Sequence, residues 1–317
     1  MVEDKKLLVD VAHLYYEKQL TQQQIAKQLN VSRSLISKML VKARDNGTVE
    51  VIIHDDTVHV HRELEERMKH LFQLKDVICV EPIAGKTVEE SVVSYACKYL
   101  ESKFVKTKDV AVAGGRMMKE IAVTFSPKVA MEHITFIPLC GGIDEEFWNA
   151  QANTVCDYFA SHCGGSSLQL HAPLILETTQ ARDMLLNQRF ISNVIEKAKN
   201  AQLAVVGIGN AYSYAMLEEH YLNASQKMTQ EYKQQIKGDI IYHYYDKKGE
   251  LIDCAWNHQT ISLGFQELKK IPEVIGVAYE LEKVESIYIS IREKMINSLI
   301  IPATLAQQII KMHLKFT

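Results

Sequence analysis

Ser32, Arg33, Ser34 and Ser37 cluster at the start of one short apolar-periodic run, and Lys38 and Lys42 follow four residues apart. Short hydroxyls and an arginine on the first turn of a helix can hydrogen-bond base edges, while lysines further along reach phosphates. From Lys27 to Arg44 the only charged residues are Lys27, Arg33, Lys38, Lys42 and Arg44, with no acidic residue among them. A second constellation is glycine at the ends of apolar runs. VAVAGGRMMKEIA places Gly114 and Gly115 ahead of a helical pattern, FIPLCGGID ends on Gly141 and Gly142, AVVGIGNA carries Gly207 and Gly209, and GDIIYHYYD opens on Gly238 and Asp239. A glycine pair between strand and helix lets backbone amides approach an anion at the positive end of the helix. Arg116 adds a formal charge there. One such pair is more often a structural turn than a ligand site; recurrence at successive strand ends is what points to a binding rim.

The first set needs two helices and a tight turn to present it. Thr21 and Gln24 have the capping-box spacing, and Ile25, Ala26 and Leu29 form one apolar face. Asn30 and Val31 leave that helix, Ser32 caps the next, and Leu35, Ile36, Met39 and Leu40 recur at helical spacing. Residues 5–18 add a supporting helix with Leu8, Val11, Ala12 and Tyr15 on one side. This is a helix-turn-helix pattern. A helical hairpin with a solvated charged face is the alternative, but one-signed charge and the small Ala26, where the helices must approach, favour DNA binding by Thr21, Gln22, Ser32, Arg33, Ser34, Ser37, Lys38 and Lys42.

The second set needs strand ends. After Asp45-Asn46-Gly47, a helix stop, a short strand is expected over Val49–Ile53, then a helical connector with His54, His59 and His61 near its start. From Lys75 apolar runs alternate with helical segments. The runs are 76–80, 109–113, 135–139, 167–170, 203–206, 240–245 and 274–278; the helices are expected near 89–105, 116–125, 149–163, 180–198, 212–220, 265–270, 280–298 and 302–313. Continuously apolar strands alternating with helices predict an α/β fold with a mainly parallel sheet covered on both faces. The domain reading is 1–54 helix-turn-helix, 55–74 connector, and 75–317 effector-binding and oligomerisation domain. In such sheets ligands bind beyond the carboxyl ends of the strands.

Bulk properties agree with a globular chain: 317 residues, 47% hydrophobic, net charge −3, with eight Lys/Arg against six Asp/Glu in residues 1–54 and an acidic excess elsewhere. The N-terminus has no signal-peptide core, and no apolar run nears the roughly 18 residues of a membrane span, so a cytoplasmic protein without membrane contact is expected. The six cysteines form no CxxC pair and His162-Cys163 are adjacent, so neither disulfide, metal nor cofactor is expected.

LTQQQIAKQLNVSRSLISKMLVKARDNGTVEV resembles the DNA-binding domain of the SorC family of bacterial transcriptional regulators. The resemblance continues through VAVAGGRMMKEIA, PLCGG, NTVCDYFASHCGGSSLQLHAPLIL, VGIG, GDIIYHYYDKKGELI and residues 271–310, almost the whole chain. It implies a small N-terminal helical helix-turn-helix domain plus a larger Rossmann-like, sugar-phosphate-isomerase-like domain that senses a small sugar or sugar phosphate. It also implies a palindromic double-stranded operator, a carbohydrate-metabolism operon as target, and a homo-oligomer, dimer or tetramer. Carried over by position, Gly114, Gly115, Arg116 and Met117 would form an anion loop, with Gly141 and Gly142 a second wall. Asn153 would be a polar contact, Gly207 part of the rim, Asp239 an acceptor for sugar hydroxyls and Lys283 the partner of the anion. Two departures stand out. Arg116-Met117-Met118 occupies the place where many members have Thr or Ser, and Tyr279-Glu280-Leu281-Glu282-Lys283 replaces a glycine pair ahead of the lysine. They suggest an altered pocket that Cys140 and Trp148 could line, or a vestigial one. The competing enzymatic reading would use Asp239 with Lys283 or His243 as acid and base, but no concentrated catalytic set accompanies them.

Overall fold

A computed structural model describes residues 2–18, 20–45, 48–49, 59–143, 148–210, 221 and 230–316. The chain parts into two units, residues 1–56 and 57–317. The expected helix 212–220, most of the expected strand 49–53, the Asn46-Gly47 stop and His54 lie outside the described residues.

In the first unit α1 (Val2–Tyr16), α2 (Gln22–Gln28) and α3 (Arg33–Asp45) pack around Val11, Ile25, Ala26, Ile36 and Leu40, with Leu8, Ala12 and Ala43 in an adjoining cluster. Thr21 and Gln24 close the capping box: the Gln24 amide donates to Thr21 Oγ1 at 3.3 Å and the Thr21 amide to Gln24 Oε1 at 2.9 Å. Asn30 turns the chain at φ 52°, a conformation its short amide side chain tolerates. Ser32 then caps α3 by accepting from the Leu35 amide at 3.2 Å. The buried stripe of α3 runs Ile36, Leu40, Ala43; Leu35, expected on that face, is exposed because it lies one residue round the helix.

The larger unit carries β1 (Asp76–Val80), β2 (Asp109–Val112), β3 (Thr135–Pro138), β4 (Ser166–Ser167), β5 (Leu203–Gly209), β6 (Gly238–Ile240), β7 (His243–Tyr245), β8 (Glu273–Val277) and β9 (Ser298–Pro302). The order is β1-β9-β8-β5-β2-β3-β4, all parallel, with β6 and β7 an antiparallel hairpin leaving the end of β5. From β2 the chain proceeds to β3 on one side, and from β5 the next parallel strand, β8, lies on the other. Connections that diverge from adjacent strands open a crevice at their carboxyl ends.

Two expectations change, and the connector gains definition. Within the expected helical connector, helix α4 (Arg62–Phe72) buries Met68 and Phe72 in the main core, and its Glu65 carboxylate accepts from the Cys79 amide at 2.8 Å on the open side of β1. An amide on an edge strand is thereby kept from solvent and from other chains. The run 240–245 is a hairpin rather than one strand. The segment 180–198 is two helices, Thr179–Leu186 and Arg189–Lys199.

Candidate ligand cleft and nucleic-acid interface

On the first unit Arg33, Ser34, Lys38 and Lys42 of α3 are exposed, as are Thr21 and Ser32; Gln22 and Ser37 are half-buried. The oxygens of Thr21 and Ser32 cap their own helices, which leaves Arg33, Ser34, Ser37 and the lysines as the outward-facing polar groups of α3. Among the described residues neither Arg33, Lys38 nor Lys42 makes an ion pair. A helix start with an arginine, hydroxyls and lysines unpaired by carboxylates is chemically suited to a polyanion.

In the larger unit a cleft of about 500 Å³ opens at the carboxyl ends of β2, β5 and β8. Its first wall is Ala113–Met118. Gly115, at φ 116°, makes the turn from β2 into the helix Arg116–Thr124, a backbone region closed to side chains. The Gly115 amide is spent on the Ala150 carbonyl at 2.7 Å, so the helix presents the amides after it. The second wall is Gly207–Asn210, the third Val277–Glu280 with Glu282 and Lys283, and Ile241 and Tyr242 close the back. These last two form the turn of the β6–β7 hairpin with φ of 47° and 67°, unusual for a β-branched and an aromatic residue. Trp256 holds the turn by donating its indole N–H to the Tyr242 carbonyl at 2.6 Å.

Charge converges at the third wall. Glu280 Oε2 lies 2.9 Å from Lys283 Nζ, and Glu280 Oε1 3.5 Å from Arg116 Nη2. Arg116 also donates to the Tyr279 hydroxyl and approaches Glu89 at 3.7 Å. Partial burial pushes the Tyr279 phenol up to about 12, reinforced by a hydrogen bond with Glu89 and the Glu280 charge.

Of the residues expected from sequence, Gly114, Gly115, Arg116, Met117, Gly207 and Lys283 line this cleft. Gly141, Gly142, Asn153 and Asp239 do not. Gly141 is glycine because an added Cβ would fall 2.3 Å from the Pro173 carbonyl oxygen, and its amide donates to Ile261 at 2.9 Å. Gly142 is likewise spent on a backbone exchange with Ala172 and Leu174. The Asn153 carboxamide brackets the backbone of Leu170, accepting its N–H at 2.9 Å and donating to its C=O at 3.1 Å. Asp239 is buried directly behind Gly209, where a Cβ would overlap its Oδ1. Cys140 is buried beside Tyr242 and Trp256, its thiol pushed up to about 12 by burial, and it does not reach the cleft. Trp148 begins a 3-10 turn; its side chain lies outside the described residues. His243, the other acid–base candidate, is also buried off the cleft. The contributions of Ile208, Asn210, Ile241 and Tyr242 are additions to the expected set; adjacency of Ile208 and Asn210 to the Gly207-Gly209 pair is the signal the sequence offers.

Residues 56–311 match the Sugar-bind family model, a sugar-binding domain, and residues 10–46 match that of sigma-70 region 4. The deoxyribonucleoside regulator of Bacillus subtilis (strain 168) is 30% identical over 97% of this chain and 98% of its own. The sorbitol operon regulator of Klebsiella pneumoniae is 25% identical over 98% and 99%. The solved full-length structure of that K. pneumoniae regulator superposes with a TM-score of 0.68 at 22% identity, covering 96% of this chain and 98% of that one.

Proposed function

Because the chain belongs to the SorC family of DNA-binding transcriptional regulators, we propose that the cleft between β2, β5 and β8 is its effector site and α3 its DNA-reading helix. The effector is a small sugar or sugar phosphate, as the sugar-binding domain and the names of the relatives suggest, and the target an operon of carbohydrate metabolism. The observation that carries this reading is one cleft at the strand ends joining the open first turn of the helix at Arg116, the Arg116 and Lys283 cations, and carboxylates able to accept hydrogen bonds from hydroxyls. The protein acts as a homo-oligomer, a dimer or tetramer, since paired reading helices on a palindromic site multiply the few contacts that one module can make.

Two measurements test it. Arg33→Ala, assayed on DNA selected from random sequence by the full chain, weakens specific binding by about 1–3 kcal/mol, roughly 5- to 150-fold, with relaxed preference at one position. Undiminished affinity would remove α3 from the interface. For the cleft, a sugar or sugar phosphate that raises the melting temperature also changes DNA affinity, because coupling between two sites is reciprocal. Lys283→Ala reduces both effects together; a ligand response intact in that variant would place the site elsewhere.

A further inference from the structure

The cations of the cleft are already occupied. Among the described residues Arg116 and Lys283 are its two positive side chains, and Glu280 stands between them with one carboxylate oxygen toward each, at 3.5 and 2.9 Å. The Glu280 and Lys283 side chains are only 24% and 16% exposed, so solvent screens this pair poorly. Glu282 also lines the cleft and Glu89 lies 3.7 Å from Arg116, which leaves no positive excess at the mouth among the described residues. A phosphate monoester carries a charge near −2 at neutral pH. To use Arg116 and Lys283 it would have to separate both from Glu280 and then lie against that carboxylate.

We propose that Glu280 is the anion this cleft supplies for itself in place of a ligand phosphate, so that the effector is an uncharged polyhydroxy compound, a free sugar or polyol. The inference rests on the cleft being the effector site. The chemistry suits such a ligand: the Glu280 carboxylate accepts hydrogen bonds from hydroxyl groups, and Arg116 and Lys283, held in place by it, donate to hydroxyl oxygens. Met117, Ile208 and Ile241 offer apolar surface to the C–H faces of a carbon chain or ring. A glutamate at position 280 therefore sets specificity by charge, rejecting esters through repulsion as much as accepting the neutral compound through contact.

The test is calorimetric titration of the full chain with a panel of pentoses, hexoses and polyols, each paired with its phosphate monoester, and with inorganic phosphate. The parent binds the neutral member of its preferred pair at least tenfold tighter than the ester. Glu280→Gln, which keeps the shape and removes the charge, brings the ester and inorganic phosphate up by tenfold or more. Glu280→Asp keeps the parent's preference and guards against misreading a folding defect. Preference of the parent for an ester, or an unchanged ratio in Glu280→Gln, overturns the role of Glu280 and leaves the effector site standing. Binding of no panel member by the parent or any variant removes the effector-site reading and this inference with it.

Discussion

Trp256→Ala lowers the stability of the larger unit by about 3–5 kcal/mol, the range for deleting a fully buried large aromatic side chain. Trp256 has no solvent exposure and packs in a secondary core with Cys140, Leu174, Ile175, Tyr242, Tyr244 and Ile252. Its ring lies 5.8 Å from that of Tyr244, tilted by 32°. The truncation also deprives the Tyr242 carbonyl of its indole donor. That bond restrains a turn whose two central residues, Ile241 and Tyr242, have left-handed backbone and line the cleft. Urea or thermal unfolding reads the loss, and ligand-induced stabilisation should disappear with it. Trp256→Phe keeps most of the bulk and loses the donor, so it should cost about 1–3 kcal/mol. A Trp256→Ala protein within 1 kcal/mol of the parent would mean the hairpin is held by something else.

Acid destabilises the protein through His243. The ring is buried, edge-on to Phe265 with centroids 5.8 Å apart, and its pKa is lowered to about 4. Burial is the main cause and the Arg182 charge the second, with Asn257 offsetting a part. The unfolded chain takes up this proton near the ordinary histidine value, roughly 6.5. Between these two values the unfolded state binds more protons than the native one, so stability rises with pH through the window and falls as pH drops through it. The difference corresponds to about 3 kcal/mol once the pH lies below the native value. Melting temperatures from pH 7 to pH 4 should fall less steeply for His243→Gln and His243→Phe than for the parent. Parallel curves would show that His243 takes up its proton without unfolding.

Much of the fold is readable in the residues because helices and parallel strands announce themselves by period and apolar continuity. The capping pair Thr21–Gln24 and the strand runs at 76, 109, 135, 203 and 274 are such places. What escapes has a physical cause in each case. Ser298–Pro302 joins two helical segments, and a short apolar run there reads as more helix; only burial of all five residues between β1 and β8 marks it as a strand. The 241–242 turn contains no Gly, Asn or Asp, because tertiary packing on Trp256 rather than local preference imposes its backbone. At the site, glycine was an ambiguous guide. Gly115 serves a turn at the cleft, whereas Gly141 serves the close passage of Pro173, and sequence alone gives both the same appearance. Glu280 was visible as a departure, but its position between two cations depends on β2 and β8 flanking β5, a long-range fact of topology.

The place of β9 also bears on how the chain comes to be made. Among the described residues β1 pairs with β9 alone, joined residue for residue from Asp76–Ser298 to Val80–Pro302. The first described strand to leave the ribosome therefore waits for the last before it gains a backbone partner, with more than two hundred residues synthesised between them. Until then its apolar Val77–Val80 segment has α4 and the helix Val88–Phe104 to cover it, but no backbone partner. Such late closure slows folding and leaves unfinished chains prone to association, which makes the Glu65 bond to the Cys79 amide useful during synthesis as well as after it.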